Sequence, residues 1–374
     1  MIEYPVGSAE TYGTINEALT EIEASHSYTD DDIADIVVKD SFSDSAGNIV
    51  ISTAFAGTAS ATAYIRIGVN AANRHSGHWD TAKHYITRNP ATGGHIIEID
   101  ENYVHLRHLQ IKTLGTGGSE ECIRIMSGAT NFLIEKCYLE SNNITQQDCI
   151  YGGGYSVSGF VFDCVMVQGG SGARGGIHAQ NYQGTGSHTW NAEHCTINGN
   201  GASATPAGGL LTQDQSSGTV TINGYNNLVY GNVTPSGGND CYDYTANCSW
   251  VGKGNISSDE TAISRFGGTD GVDQYINAEV DADNDSGTDV QITTVDVNYQ
   301  IIDGADNGWG IGSFETGSTR DGREDADFDI AGNPRPGTPA DRDAGAFQHI
   351  IAAAGGYPYH IHKRTNNFRS LLAQ

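Results

Sequence analysis

One phrase recurs through the middle of this chain at a near-constant interval. It reads Cys122-Ile-Arg-Ile-Met, Cys149-Ile-Tyr-Gly-Gly, Gly176-Ile-His-Ala-Gln, Gly209-Leu-Leu-Thr-Gln and Cys241-Tyr-Asp-Tyr-Thr, with successive starts 27, 27, 33 and 32 residues apart. A second phrase keeps step with it: Phe132-Leu-Ile-Glu-Lys-Cys137, Phe160-Val-Phe-Asp-Cys164, Trp190-Asn-Ala-Glu-His-Cys195, then Asn227-Leu-Val and Asn255-Ile-Ser. Two short strand-like phrases locked at one period are the signature of a solenoid. Each repeat of a solenoid buries its apolar side only against its neighbours, so 374 residues need not divide into several globular domains.

The repeat is too short for a strand–helix–strand unit, which spends ~30 residues or more on two strands. It suits two or three short strands joined by tight turns, and Gly, Asn and Ser clusters between the phrases supply those turns. The expected fold is all-β: a single-stranded right-handed parallel β-helix, its hand following the usual crossover rule. An open solenoid end exposes edge amides and apolar interior. At the N-terminus Thr14, followed three places later by Glu17, is a capping-box signature, and Ile15, Ala18, Leu19 and Ile22 form an apolar helical stripe. A short capping helix is predicted there.

The chain then divides into a cap at 1–28, the β-helix at 29–258, an irregular C-terminal end of the β-helix at 259–350 and a tail at 351–374. The segment 70–92 carries three of the thirteen histidines together with Trp79, and reads as a long insertion on one side of the stack. After Asp343 no acidic residue follows, while Lys363, Arg364 and Arg369 are basic, so the end reads as a basic-apolar docking tail.

The net charge is −26 with 19 basic residues, which argues against a nucleic-acid partner. No stretch approaches the apolar length of a membrane span. The first residues, MIEYPVGSAETYG, lack a basic n-region and an apolar h-region, so a secretory signal is either removed or not used.

Side chains alternate across a strand. In the first phrase Ile97, Ile99, Ile123, Ile125, Ile150, Ile177, Ala179 and Leu210 are expected inward. Glu98, Arg124, Tyr151, His178, Leu211 and Asp243 then face outward at ~4.8 Å per rung, with Gln180 and Gln213 on a neighbouring outward row. Polysaccharide β-elimination needs a carboxylate neutraliser, an acid and a base, and Arg124, Tyr151 and His178 are the candidates. No Asp/Glu cluster on adjacent rungs of this strip is apparent. Asp240 and Asp243 are the densest acid pair for a hydrolase, though Asp beside Gly and Asn also reads as turn chemistry.

For sugar binding, flat rings beside hydrogen-bonding groups are the requirement. Trp79, Trp190, Glu98, Gln180, Gln213 and Asp243 are the candidates, with Tyr155 and Tyr182 nearby. Cys137, Cys164 and Cys195 occupy one inward position on successive rungs, which predicts a buried ladder and no metal site. Cys122 and Cys149 fall within disulfide reach of each other, as a bridge or as reduced neighbours. The acidic rhythm of residues 281–287 leaves calcium possible, and no cofactor is required.

The stacked phrases, the capping helix and the closing phrase Asp329-Ile-Ala-Gly-Asn-Pro-Arg-Pro with Asp341-Arg-Asp-Ala-Gly-Ala-Phe resemble the right-handed parallel β-helix, pectate-lyase-like superfamily. That superfamily holds lyases, hydrolases, tail spikes and non-catalytic virion proteins. The missing signal and the Phe-Arg-Ser-Leu-Leu tail look more like its phage side. The resemblance implies a virion-associated structural or host-recognition protein of a tailed phage: a decoration, fibre or spike subunit, homotrimeric, extracellular, binding cell-surface polysaccharide. Residues 356–374 would dock to other virion proteins. A polysaccharide lyase is the alternative, and a secreted bacterial adhesin a further one.

Overall fold

A computed structural model describes residues 1–267 apart from 29–31, 45–46, 53–56, 89–93, 115–119, 142–146, 169–172, 183, 200–207, 231–238, 244, 246 and 258–260; beyond them it describes 275–276, 291–292, 301–303, 328–334 and 345–346. The strands form three parallel sheets of nine, eight and seven members, the coils between the two ends each adding one strand to each sheet. The protein is a parallel β-helix. Three strands per coil account for the repeat length: Thr130–Glu135, Tyr138–Ser141 and Gln147–Gly154 make one coil, and Ser158–Phe162, Val165–Gln168 and Ala173–Asn181 the next.

The expected helix forms over Ile15–Ser25. Thr14 Oγ1 accepts the Glu17 amide at 3.2 Å, and Glu17 Oε2 accepts the Gly13 amide at 2.7 Å. Ile15, Ala18, Leu19 and Ile22 are buried in the same core as the coils. No described helix is long and apolar enough to cross a membrane.

Two interior ladders fix the register. Cys137, Cys164 and Cys195 are fully buried, one per coil, and each thiol lies against backbone carbonyls, for example Cys164 Sγ to Phe162 O at 3.2 Å. The same position continues as Asn227 and Asn255, joined by Asn227 Nδ2 donating to Asn255 Oδ1 at 2.9 Å. All seven cysteines are free, so Cys122 and Cys149 are reduced neighbours.

The turn just before this position is equally regular. His108, Lys136, Asp163, His194 and Asn226 all hold φ between 51° and 56°, and Gly254 follows at 71°. Five non-glycine residues therefore sit in the left-handed region on successive coils, a conformation that costs L-residues about 1–2 kcal/mol.

The closing phrase does not extend the stack at its end. Ile330 and Ala346 pack on the outer face of the second sheet with Tyr138, Val165, Val167, Leu228, Tyr230 and Ile256. Ala346 N donates to Thr196 Oγ1 at 2.8 Å, and Gly345 N to Asn226 O at 2.7 Å. Trp79, from the inserted segment, packs on this same outer face against Tyr85 and Tyr138. The last described coil is closed by the short helix Thr261–Phe266, whose Phe266 meets Trp250 edge-on at 5.1 Å.

Candidate functional site

The third sheet carries the predicted strip, and its register runs Glu98, Arg124, Tyr151, His178, Leu211, Tyr242. Arg124, Tyr151 and His178 are therefore side by side on consecutive coils. The sheet also contains a step that alternation does not foresee. Pairing skips from Glu121 to Ile123, from Asp148 to Ile150 and from Gly175 to Ile177, and the skipped Cys122 and Cys149 are core residues like the isoleucines after them. A Cβ on Gly176 would meet Ile197 Cγ2 at 2.5 Å, whereas one on Gly175 would meet Asp148 Oδ1 at 2.9 Å. Two successive residues thus face the core while the coil-to-coil register stays unchanged across them. Residues 121 and 148 are thereby returned to the outward face.

The outcome is a compact polar cluster beside Arg124. His178 Nδ1 lies 3.0 Å from Asp148 Oδ2, and both residues are buried. With the carboxylate as acceptor, Nδ1 carries the proton and Nε2 is left as the basic nitrogen; Nε2 is buried and has no hydrogen-bond partner. Glu121 stands next to Asp148 on the preceding coil, and Glu121 Oε2 and Asp148 Oδ1 are likewise buried without partners. Burial first, and the neighbouring Asp148 second, push the Glu121 carboxyl up to about 8, against the opposing pull of Arg124 and Arg174. Glu121 is therefore a neutral acid at pH 7.

The half-exposed part of the site lies above this cluster. The Arg124 guanidinium sits over the Tyr151 ring, 5.7 Å from its centroid. Tyr151 donates its hydroxyl to Gln180 Oε1 on the next coil at 2.7 Å. Burial raises the Tyr151 phenol above its ordinary value, so it stays a donor. The three glycines after Tyr151 make this arrangement possible. A Cβ on Gly153 would lie 2.4 Å from the Tyr151 hydroxyl, so only glycine lets the ring lie along the sheet. Gly152 faces the core, where its Cβ would strike Trp190 Cζ2 at 2.1 Å. Glu98 is held by His95, Nε2 to Oε2, at 2.6 Å.

Just past the ends of the same strands, Tyr155 and Tyr182 are 49% and 39% exposed. Beside them a shallow groove of about 440 Å³ is lined by Tyr155, Ser156, Gly184, Thr185 and Gly186.

Several sequence expectations are corrected here. Trp190 is fully buried, edge-on to Phe132 at 5.0 Å, and cannot meet a ligand at the surface. Trp79 belongs to the second sheet's outer face, away from the strip. Gln213 is in the outward row but only 2% exposed. His178 is outward in register yet fully buried, so it can act only through the cluster around it. Asp243 pairs with Thr212, one place off the strip. Its carboxylate receives Thr212 Oγ1, Trp250 Nε1 and, at 2.9 Å, Arg265, and it anchors the closing helix. Asp148 with Glu121 is an acid pair on adjacent coils, where none was expected.

Among the described residues no group of three or more His, Cys, Asp or Glu side chains is placed to hold a metal ion. Residues 281–287 and 356–374, the expected calcium-like loop and docking tail, lie outside the described residues.

No protein-family model matches the chain, and no curated protein matches it in sequence. Among solved structures it is similar to the pectin methylesterase of Aspergillus niger in deglycosylated form. The identity is 10% and the TM-score 0.39, over 71% of this chain and 89% of that one. A likeness at that level assigns no substrate and no site residue. The class is defined by the chain itself: a parallel β-helix with a half-exposed arginine–tyrosine–glutamine surface over a buried acid–histidine cluster.

Proposed function

We propose that this chain is an extracellular glycan-binding protein whose receptor surface is the outward face of the third sheet at Arg124, Tyr151 and Gln180. The observation that carries the reading is the Arg124–Tyr151–Gln180 arrangement, in which a cation, an aromatic ring and an amide stand half-exposed on three coils with the ring fixed by its hydroxyl. Sugar rings present apolar C–H faces edged by hydroxyls, and such a surface meets both. Rigid strands hold the groups in place before the ligand arrives, which lowers the ordering cost of binding. Titration calorimetry against a panel of bacterial and plant polysaccharides tests it: Tyr151→Ala and Arg124→Ala should each lose at least tenfold in affinity. Unchanged affinity in both would remove the reading.

Its finer form is a host-recognition subunit of a tailed phage, homotrimeric and attached to other virion proteins through residues 356–374. The basic-apolar character of that tail on a chain of net charge −26 supports the attachment. Deleting 356–374 should then abolish incorporation into particles while leaving glycan binding intact, and sedimentation should give three chains.

A second reading, polysaccharide cleavage, draws on the Asp148–His178 pair with its unpartnered Nε2. It requires time-dependent absorbance near the ultraviolet band of unsaturated uronates, lost in His178→Ala and retained in Val251→Ala, an exposed position on the first sheet.

A further inference from the structure

The receptor surface does not stop at Gln180. The two strands end at Gly154, which holds φ 115°, and at Asn181, paired to each other, and Tyr155 and Tyr182 are the residues that follow them. Tyr155 and Tyr182, on consecutive coils, are among the few large hydrophobic side chains left exposed in the described residues. Tyr182 lies two residues beyond Gln180, whose Oε1 accepts the Tyr151 hydroxyl.

The groove at the end of that path is built rather than incidental. Tyr155 N donates to Ser127 Oγ at 3.0 Å, and Gly128 N to Tyr155 O at 2.9 Å. On the other wall Asn181 Nδ2 donates to Gly186 O at 2.8 Å. A Cβ on Gly186 would come within 2.8 Å of Tyr155 Cβ and fill the floor. Ser156 is held at φ 55°. None of the five lining residues is charged, although the chain carries 45 acidic residues. A charged headgroup or a nucleic acid has nothing to grip here, whereas hydroxyls and ring faces do.

We infer that the Tyr155–Gly186 groove, with Tyr182 beside it, is a second sugar subsite continuous with Arg124–Tyr151–Gln180, and that the ligand is a linear oligosaccharide laid along the strand direction. This rests on the glycan reading above. Tyr155 is four positions beyond Tyr151, at most ~13 Å at ~3.3 Å per residue, a span that takes a linear chain of up to about three sugar rings. A monosaccharide or disaccharide reaches only the first subsite.

The test takes whichever polymer of the calorimetric panel binds, fragments it, and titrates fractions of increasing length into wild type, Tyr155→Ala, Tyr182→Ala and Tyr151→Ala. Wild-type affinity should rise about tenfold or more once the fragment exceeds the disaccharide. Tyr155→Ala and Tyr182→Ala should remove that gain while leaving the short fragments unaffected. Affinity independent of length, with both variants indistinguishable from wild type but Tyr151→Ala inactive, would overturn the second subsite and keep the first. No binding by any polymer would overturn both. Unchanged melting temperatures for the two tyrosine variants establish that any loss is local.

Discussion

Replacing Glu121 by Gln should stabilise the protein, and the gain should depend on pH. Glu121 is buried beside Asp148, and its carboxyl is pushed from the ordinary 4.5 to about 8. A group whose folded value is raised contributes fully below its unfolded value and costs stability as pH climbs towards the folded one. The difference, at ~1.36 kcal/mol per unit, is on the order of 5 kcal/mol once pH exceeds about 8. At pH 5 it falls below about 1 kcal/mol, because the folded carboxyl is still protonated and the pH lies only about half a unit above the unfolded value. Gln keeps the shape and cannot ionise, so Glu121→Gln removes the slope. Denaturant midpoints at pH 5, 7 and 9 measure it, with the m-value checked for constancy. The stability difference between variant and wild type should widen from pH 5 to about 8 and reach several kcal/mol by pH 9. Parallel profiles, or a variant weaker at pH 9, would refute the neutral buried acid.

On the acid side the sign reverses. Burial holds His75 down to about 3 and His84 and His95 down to about 4, so stability should fall as pH drops from about 6.5 towards 4, and His84→Leu should flatten that fall in the same denaturation series. Gly152→Ala should cost about 1–3 kcal/mol or more by overpacking against Trp190, seen as a lower melting midpoint with altered tryptophan emission. Lys136→Val should be less stable than Lys136→Gly by about 1–2 kcal/mol, because residue 136 sits at φ 51° where a β-branched side chain is strained. Asp243→Ala should release Trp250 and Arg265 and accelerate amide exchange in the last coils and the closing helix, leaving Thr130–Phe162 protected.

The period, the inward isoleucines, the cysteine ladder and the capping helix are legible in the sequence because each is a local pattern repeated in step. What escapes is whatever breaks the step. Two consecutive inward residues at Cys122–Ile123 and Cys149–Ile150 turn Glu121 and Asp148 outward, and strict alternation hides them. Asp243 is misassigned because Cys241 invites alignment with Cys149, while the sheet pairs it with Leu210; a slip of one residue exchanges the two faces. Trp190 looks the same as a surface ring or a core ring. The available signal is Gly152, an inward glycine two sheets away whose missing side chain makes room for an indole. The closing phrase packs on the second sheet through contacts about 150 residues apart in sequence, which no local pattern encodes. Buried state is the hardest property to read: His178 has the register of a surface base and the environment of a core residue.

The receptor surface can be mapped most directly by hydroxyl-radical footprinting of tyrosines with and without the bound polymer. Protection confined to Tyr151, Tyr155 and Tyr182, with the second-sheet tyrosines Tyr85 and Tyr138 unchanged, is the predicted result. Protection of the second-sheet face, or none at Tyr151 under saturating polymer, would contradict the assignment of glycan binding to the third sheet.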